Sequence, residues 1–229
     1  MTKRQDIRNQ PAYTVAEASR YLKVAPATLR SWVAGRFYPK GKEVARSVPL
    51  IKPAKNPPPV LSFWNLIEAH VLRSLRTDHG VPMEALRRAI KYAENELAIN
   101  RLLLSPALRT EAGKLLLERY GELIDLSASG QIAMRRVFND HLSRVEWDEW
   151  KFPVRLFPFT SSSASDMGRR PVTIAANIAF GRPVLASRGI ATATIAQRLD
   201  AGESLADVAE DYDLTADEIE EAVLYERAA

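Results

Sequence analysis

The chain has 229 residues, 46% of them hydrophobic, and a formal net charge of +4. This length allows one or two domains or three small modules, and no apolar run reaches the ~18 residues of a membrane-spanning helix. The absence of Cys excludes disulfides and thiolate zinc sites, and the three scattered His show no metal-ligand spacing. The charged start lacks the apolar segment of a secretion signal, so we expect a cytoplasmic protein without a metal or cofactor.

Two short helices are predicted within residues 13–36. The first begins at a capping box, because Thr14 and Glu17 stand at the N-cap and the third helical position. The second begins at Pro26, which suits a first helical turn because its missing N–H would have no partner there. Between them, Lys23 must adopt the left-handed conformation that glycine adopts more readily. The pattern predicts a helix-turn-helix, whose second helix can enter a DNA major groove.

The second helix of this pair has an inward and an outward side. Leu29 and Trp32 are spaced to face inward and are predicted to be buried. The outward side chains are candidates for contacts with base edges, and the last of them for a phosphate. A plain helical hairpin with a basic, solvated surface is the alternative. The outward residues are Thr28, Arg30, Ser31 and Arg36.

Residues 13–36 resemble the helix-turn-helix of MerR-type and phage-excisionase proteins. That family usually has Gly where this chain has Lys23 and Ser where it has Ala25. The resemblance implies a DNA-binding domain, and helices predicted at residues 63–76 and 82–97 extend it over residues 12–97. The matching residues are Thr14, Glu17, Ala18, Leu22, Val24, Thr28, Leu29, Arg30 and Trp32.

Residues 37–63 are predicted to form a wing beside the helix pair. Two strand-like runs, at residues 46–51 and 60–63, flank a proline-rich loop. Prolines stiffen this loop, and lysines on it could reach phosphates. A merely solvated basic loop is the alternative. The complete set of predicted DNA-binding residues is Thr14, Thr28, Arg30, Ser31, Arg36, Lys40, Lys42, Lys52 and Lys55.

The middle of the chain is less regular. No heptad run follows the DNA-binding domain, so this region is predicted to supply the contact of a homodimer. Pro153 and Pro158 restrict the last run of the region to an edge strand or an extended connector. The predicted elements are a short helix that Ser105 and Pro106 cap, two strands within 114–126, a helix at about 131–145, the edge strand or connector at 152–159 and a polar linker at 160–170.

A second helix pair is predicted near the end of the chain. Ser204 with Asp207 and Thr215 with Glu218 have the spacing of capping boxes. The final helix would expose four carboxylates, at Asp217, Glu218, Glu220 and Glu221, and phosphates would repel them. We therefore do not expect this pair to grip DNA. The predicted elements are strands at residues 171–175 and 180–185 and helices at 192–199, 204–212 and 215–227.

Residues 177–226 resemble a small bacterial family of formerly unknown function. Members of that family are typically antitoxins encoded beside PIN-like ribonuclease toxins. The resemblance therefore implies an antitoxin role and a PIN-like ribonuclease as partner. The matching residues are Gly181, Pro183, Val184, Ile190, the block 201–204, the block 210–212, Ile219 and Ala222.

The charge distribution supports two different partners. Residues 1–60 carry 12 Lys and Arg against 3 Asp and Glu, whereas residues 171–229 carry 4 against 11. We expect the basic end to bind double-stranded operator DNA and repress its own operon, and the acidic end to bind the toxin. A MerR-like regulator whose C-terminal part senses an effector or a protein is the alternative. An enzyme is not predicted, because no nucleophile–base pair or phosphate loop is recognisable.

The predicted fold class is α+β and mainly helical. It comprises a MerR-like winged helix-turn-helix (1–104), a small middle α/β region (105–160) and, after a linker, a C-terminal module of three helices resembling a helix-turn-helix (161–229). Toxin binding is predicted through an acidic helix that covers a basic groove and an arginine that approaches metal-binding carboxylates. Contact through apolar surface near Leu224 and Tyr225 is the alternative. The candidate residues are Arg169, Arg170, Arg182, Arg188, Asp217, Glu218, Glu220, Glu221, Leu224 and Tyr225.

Overall fold

The computed structural model describes residues 6–41, 43–78, 83–96, 98, 100–105, 142–159 and 170–228. These residues form an α+β structure in which helices predominate and the sheets are small, as the sequence predicts. All four described sheets are antiparallel pairs of short strands. Within these ranges, no helix is long and apolar enough to cross a membrane.

The predicted N-terminal helix pair is confirmed. Helix α1 is Val15–Leu22 and helix α2 is Pro26–Ala34, with Lys23 in the left-handed region at φ 53° between them. Strand β1, Tyr13–Thr14, precedes α1 and pairs with β4, Val60–Leu61. This pairing brings the chain after residues 35–59 back beside the start of α1.

Of the two strands predicted after α2, the one at residues 60–63 is confirmed in part as β4, but the other is not where the sequence placed it. Strand β2 is Phe37–Lys40 and pairs with β3, Glu43–Arg46, in a hairpin whose turn contains Gly41 at φ +65°. Only Arg46 of the predicted run 46–51 belongs to a strand, because the backbone N–H groups of Leu50 and Ile51 both donate to the carbonyl of Trp32, at 2.7 and 3.1 Å. That run is held against α2 and is not free to pair with the residues that follow.

Helices α3, Phe63–Arg73, and α4, Met83–Glu96, confirm the helices predicted after the hairpin. A π-helical turn, Ser74–Asp78, extends α3. Ser62 caps α3 in a reciprocal box with Asn65, which the sequence reasoning did not identify. A short 3₁₀ turn, Leu102–Leu104, then packs against α3.

The middle region is described only in part. The short helix after Ser105, the strands within 114–126 and most of the helix at 131–145 lie outside the described residues. The end predicted for that helix is wrong, because Val145 begins strand β5, Val145–Trp147. Strand β6, Pro153–Leu156, pairs with β5 in a two-stranded sheet, so the predicted edge strand is confirmed.

The C-terminal part follows the predicted order. Strands β7, Val172–Thr173, and β8, Val184–Leu185, pair with each other, and the 3₁₀ turn Ala179–Gly181 lies between them. The three predicted helices are confirmed. They are α5, Thr192–Asp200, α6, Leu205–Tyr212, and α7, Ala216–Arg227.

Two hydrophobic clusters fill the described structure. The larger one joins the N-terminal helices to Leu142, Val145, Leu156 and Ile174, and thus includes side chains from the middle region. The smaller one lies among α5, α6 and α7 and contains Val208, Leu214 and Ile219. Leu205, at the first position of α6, is 44% exposed and is not part of this cluster.

Candidate DNA and partner interfaces

The start of α1 is fixed by the predicted capping box. The Thr14 hydroxyl accepts from the Glu17 N–H at 3.2 Å, and the Glu17 carboxylate accepts from the Thr14 N–H at 2.9 Å. The same hydroxyl also donates to the Glu17 carboxylate at 2.8 Å. Thr14 is exposed but its hydroxyl is engaged in the cap, so a contact with DNA would compete with these bonds.

Helix α2 presents one polar side and buries the other. Leu29 and Trp32 are almost completely buried, while Arg30 is exposed. Thr28 and Ser31 are half-buried, and the Ser31 hydroxyl donates to the Thr28 carbonyl at 2.7 Å. Arg30 is therefore the predicted base-contacting side chain with the greatest freedom to reach a ligand.

The basic residues after α2 are spread over two segments. Arg36 is exposed just before the β2–β3 hairpin, and its N–H donates to the Ser47 hydroxyl at 2.8 Å. Lys40 lies on β2, and Lys42 lies outside the described residues. Lys52 and Lys55 are exposed in the loop before β4.

The hairpin is anchored to the end of α2. The Arg46 guanidinium donates to the Ala34 carbonyl at 2.9 Å and lies over the Phe37 ring, 5.4 Å from its centroid. Phe37 and Val44 nevertheless remain largely exposed. Sequence reasoning missed these apolar side chains because it placed the strands later in the chain.

Helix α7 exposes fewer carboxylates than predicted. Asp217 and Glu220 are exposed, but Glu221 is only 7% exposed, so its predicted exposure is wrong. Glu221 lies one helical turn before Tyr225 on the side that faces α1. Glu218 is partly exposed, and hydrogen bonds from Ser187 and then from Thr215 lower the pKa of its carboxyl.

The four candidate arginines differ in their surroundings. Arg188 pairs with Asp213 at 2.6 Å, and Arg170 donates to the Ser143 carbonyl at 3.0 Å. Arg182 is exposed, and no carboxylate of the described residues forms an ion pair with it. Arg169 lies outside the described residues. Arg182 is thus the candidate best placed to reach a carboxylate of another molecule.

The two residues of the alternative apolar contact, Leu224 and Tyr225, also differ in their exposure. Leu224 is 52% exposed and remains available for contact with a partner. Tyr225 is 1% exposed, so its predicted place on a free surface is wrong. Its hydroxyl donates to the Tyr21 carbonyl at 2.9 Å, which fastens α7 to α1.

This junction between the two ends of the chain was not predicted. The Lys23 ammonium donates to the Tyr225 carbonyl and lies 4.2 Å from the centroid of the Tyr225 ring. A cation is favourable at a helix C-terminus and over an aromatic face. Burial nevertheless lowers the pKa of Lys23 to about 8, against the opposing charge of Glu226. The unusual Lys at the turn was the only signal in the sequence for this contact.

A second contact joins the same two regions. Gly181 approaches β1 so closely that a Cβ on it would lie 2.1 Å from the Tyr13 hydroxyl oxygen. The ring of Tyr13 also meets that of Tyr21 edge-on, with centroids 6.2 Å apart. Three tyrosines therefore lie where the C-terminal part meets the first helix of the N-terminal pair. Among the described residues, no group of acidic or His side chains could hold a metal ion.

Two family models match separate parts of the chain. Residues 11–90 match a model described as "Putative DNA-binding HTH domain". Residues 172–225 match one described as "Protein of unknown function (DUF433)". The first match covers α1, α2, the hairpin and most of α4, and the second covers the strands β7 and β8 and nearly all of the three C-terminal helices.

The chain also matches a curated protein and a solved structure over nearly its whole length. The chain is 29% identical to "Putative antitoxin VapB45" of Mycobacterium tuberculosis, over 93% of this chain and 92% of that protein. The fold is similar to the crystal structure of Rv2018 from Mycobacterium tuberculosis, with a TM-score of 0.65, 24% identity and coverage of 93% of this chain and 97% of that one. These findings confirm the resemblance to an antitoxin with an N-terminal helix-turn-helix.

Proposed function

We propose that this protein is an antitoxin that binds operator DNA through α2 and the adjoining hairpin and neutralises a PIN-like ribonuclease through its C-terminal part. It acts as a repressor of its own operon, is not an enzyme and works in the cytoplasm as a homodimer. The observation that carries the proposal is the opposite charge of the two exposed helix faces, with Arg30 on α2 and Asp217 and Glu220 on α7. The relatedness to an antitoxin over nearly the whole chain supports it.

The DNA side depends on the rigidity of α2. Two backbone bonds to the Trp32 carbonyl and the buried Leu29 hold the helix in place, so Arg30 projects from a fixed support. An arginine that reads a guanine contributes about 1–3 kcal/mol of discrimination. The β2–β3 hairpin acts as the wing, and Lys52 and Lys55 add contacts that depend on phosphate charge and not on sequence.

The partner side depends on charge of both signs. A ribonuclease must offer RNA a basic groove that leads to acidic metal-binding residues. The acidic face of α6 and α7 suits the groove, and an exposed arginine suits the carboxylates, since a planar guanidinium binds a carboxylate with two parallel hydrogen bonds. Glu221 and Tyr225 support α7 from inside and take no direct part in this contact.

The DNA assignment is tested by binding of the full-length protein to DNA from upstream of its own gene. Arg30→Ala should abolish the preference for operator over random DNA. Lys52→Ala with Lys55→Ala should weaken binding to both DNAs alike and reduce the salt dependence. Arg155→Ala, which removes a half-buried arginine from strand β6, is the matched control and should change neither. Retention of operator preference by Arg30→Ala would refute the assignment of α2.

The partner assignment is tested by isolating the native protein and identifying what co-purifies with it. A PIN-like ribonuclease encoded beside the gene is the expected partner, and added antitoxin should abolish its cleavage of RNA. Reversing charge at Asp217 and Glu220 should weaken neutralisation, because like charges across an interface cost several kcal/mol. If the native protein instead carries a small molecule and no nuclease, it is an effector-sensing regulator.

A further inference from the structure

The turn between β7 and β8 has an unusual backbone. Ala179, Phe180 and Gly181 all have positive φ, at 45°, 55° and 77°. Glycine adopts this region freely, but for a bulky residue such as Phe it is strained, and strain of this kind persists only where the surroundings impose it. Hydrogen bonds from the N–H groups of Gly181 and Arg182 to the carbonyls of Ile178 and Ala179, at 2.8 and 3.1 Å, close the turn.

The turn is also held in place by its contact with strand β1. Gly181 is buried against β1, where the Tyr13 hydroxyl fills the space that a Cβ would need. Since no larger residue fits there, the turn cannot slide along β1 or rotate without breaking this contact. The side chain of Phe180 therefore projects from a rigid support and not from a mobile loop.

Phe180 points away from the protein. It is 92% exposed, the largest value among the large hydrophobic residues that the structure describes. Exposing a whole phenylalanine ring to water forgoes the free energy that burial of such a side chain normally contributes, and the left-handed backbone adds a further cost. Neither is compensated within the described structure, which indicates that another molecule covers the ring.

Charge in the sequence around the turn indicates the kind of molecule. Residues 170–199 contain four Arg and no Asp or Glu, whereas residues 200–227 contain 11 Asp and Glu. Arg188 and Arg198 of the first segment form ion pairs with carboxylates of the second, so their charges are already balanced within the protein. Arg182, two residues after the phenylalanine, is exposed and has no ion-pair partner among the described carboxylates. A partner that meets this turn should offer an apolar pocket with carboxylates beside it.

We propose that Phe180 is the aromatic anchor of the antitoxin–toxin interface, seated in an apolar pocket next to the metal-binding carboxylates of the partner ribonuclease, with Arg182 paired to one of them. The proposal rests on the proposed function, because that function supplies a partner with an acidic pocket. Exposed aromatic and Arg side chains at the centre of an interface carry much of its binding energy. A preformed turn loses little freedom on binding, which favours affinity.

The experiment measures the affinity of the full-length protein for the purified ribonuclease and the rate of RNA cleavage by the mixture. Phe180→Ala should weaken binding about 30-fold or more, as expected for truncation of a central aromatic residue. Phe180→Leu keeps an apolar side chain and should recover part of this loss. Arg182→Gln should also weaken binding and should reduce its dependence on salt.

Two variants serve as controls. Phe37→Ala removes an exposed phenylalanine from the hairpin near α2 and should leave ribonuclease binding unchanged. Phe180→Ala should unfold at the same temperature as the parent and bind operator DNA equally well, because the ring makes no part of the core. Leu224→Ala tests the competing apolar contact on α7 and should have a smaller effect than Phe180→Ala.

The possible outcomes distinguish a failure of the Phe180 anchor from a failure of the proposed antitoxin function. If the parent protein does not bind the ribonuclease, the proposed function and the anchor both fail. If the parent binds and Phe180→Ala binds equally well, only the anchor is refuted. If Phe180→Ala instead abolishes self-association in sedimentation and leaves ribonuclease binding intact, a second copy of this chain covers the ring and the anchor is again refuted.

Discussion

The two helix pairs of this chain have nearly the same local structure and opposite surface charge. Aligned from their N-cap residues, Thr14 and Ser204, the pairs correspond without a gap through both helices. Each first helix ends at a left-handed residue, Lys23 at φ 53° and Asp213 at φ 51°. In both turns the next residue donates its N–H to a carbonyl five positions earlier, at 3.0 Å from Val24 and 2.9 Å from Leu214.

The difference lies at the exposed position that follows the buried anchor of the second helix. Leu29 and Ile219 occupy the same place and are both almost completely buried. The next residue is Arg30 in the first pair and Glu220 in the second, and both are exposed. A shared backbone therefore does not decide what a helix pair binds, because the charge on the outward face determines whether phosphates attract or repel it.

The shared architecture predicts equal structural roles for the two anchors. Leu29→Ala and Ile219→Ala should each reduce the free energy of unfolding by about 2–5 kcal/mol, since each leaves a cavity in a closely packed cluster. Urea denaturation of the full-length protein measures this loss. Ala27→Ser, at an exposed position on α2, is the control and should change stability by less than about 0.5 kcal/mol. A loss below about 1 kcal/mol at either anchor would contradict the structural equivalence.

Local patterns predicted much of each helix pair. The capping boxes at Thr14 and Thr215, the left-handed Lys23 and the burial of Leu29 and Trp32 all follow from spacing and residue type within a few positions. Such features depend on neighbours along the helix, which a sequence shows directly. The bounds of the three C-terminal helices were therefore close to those observed.

Contacts between distant segments could not be predicted in this way. The hydroxyl of Tyr225 reaches the carbonyl of Tyr21 across the whole length of the chain, and no local pattern records that packing. For the same reason Glu221 was assigned to the surface, although it shares a helix face with Tyr225. The strand predicted at residues 46–51 was misplaced because backbone bonds from Leu50 and Ile51 to Trp32 override the strand propensity of this run.

The titration of Lys23 provides a second difference between the two helix pairs that can be measured. Burial lowers its pKa from 10.5 to about 8, so between these values the unfolded chain holds a proton that the folded protein has released. Stability should therefore rise with pH in this window, by at most about 1.4 kcal/mol per pH unit, and the cost of the buried charge is fully present below pH 8. The first pair should therefore show this dependence at its turn residue.

Urea denaturation between pH 7.5 and 9.5 tests this slope. Lys23→Met keeps the apolar stem and removes the titrating group, so it should flatten the rise with pH. The upper limit avoids the buried tyrosines, because burial raises the pKa of Tyr225 and its ionisation in the unfolded chain reduces stability at higher pH. Identical slopes for the parent and Lys23→Met would show that Lys23 keeps an ordinary pKa in the folded protein.

The smallest expected effect separates the two left-handed residues. Glycine removes the steric cost of that conformation, about 1 kcal/mol, but increases the freedom of the unfolded chain by a similar amount. Asp213→Gly also loses only the exposed ion pair with Arg188, worth at most about 1 kcal/mol, so its net effect should be close to zero. At pH 9.5, where the cost of the buried charge has largely been relieved, Lys23→Gly additionally loses the packing of the Lys stem on the Tyr225 ring and the hydrogen bond to the Tyr225 carbonyl, and should be less stable than the parent by about 1 kcal/mol.

Thermal unfolding of both glycine variants at pH 9.5 decides between two explanations of the turn in the first pair. If Lys23 is present for its contact with α7, only Lys23→Gly loses stability, and Lys23→Met recovers part of the loss through its apolar stem. If the two variants change stability equally, the turn residues are equivalent and the contact with Tyr225 contributes nothing measurable. The first result would mean that the turn which positions α2 also fastens the C-terminal part to the DNA-binding part, a role that the matching turn at Asp213 does not have.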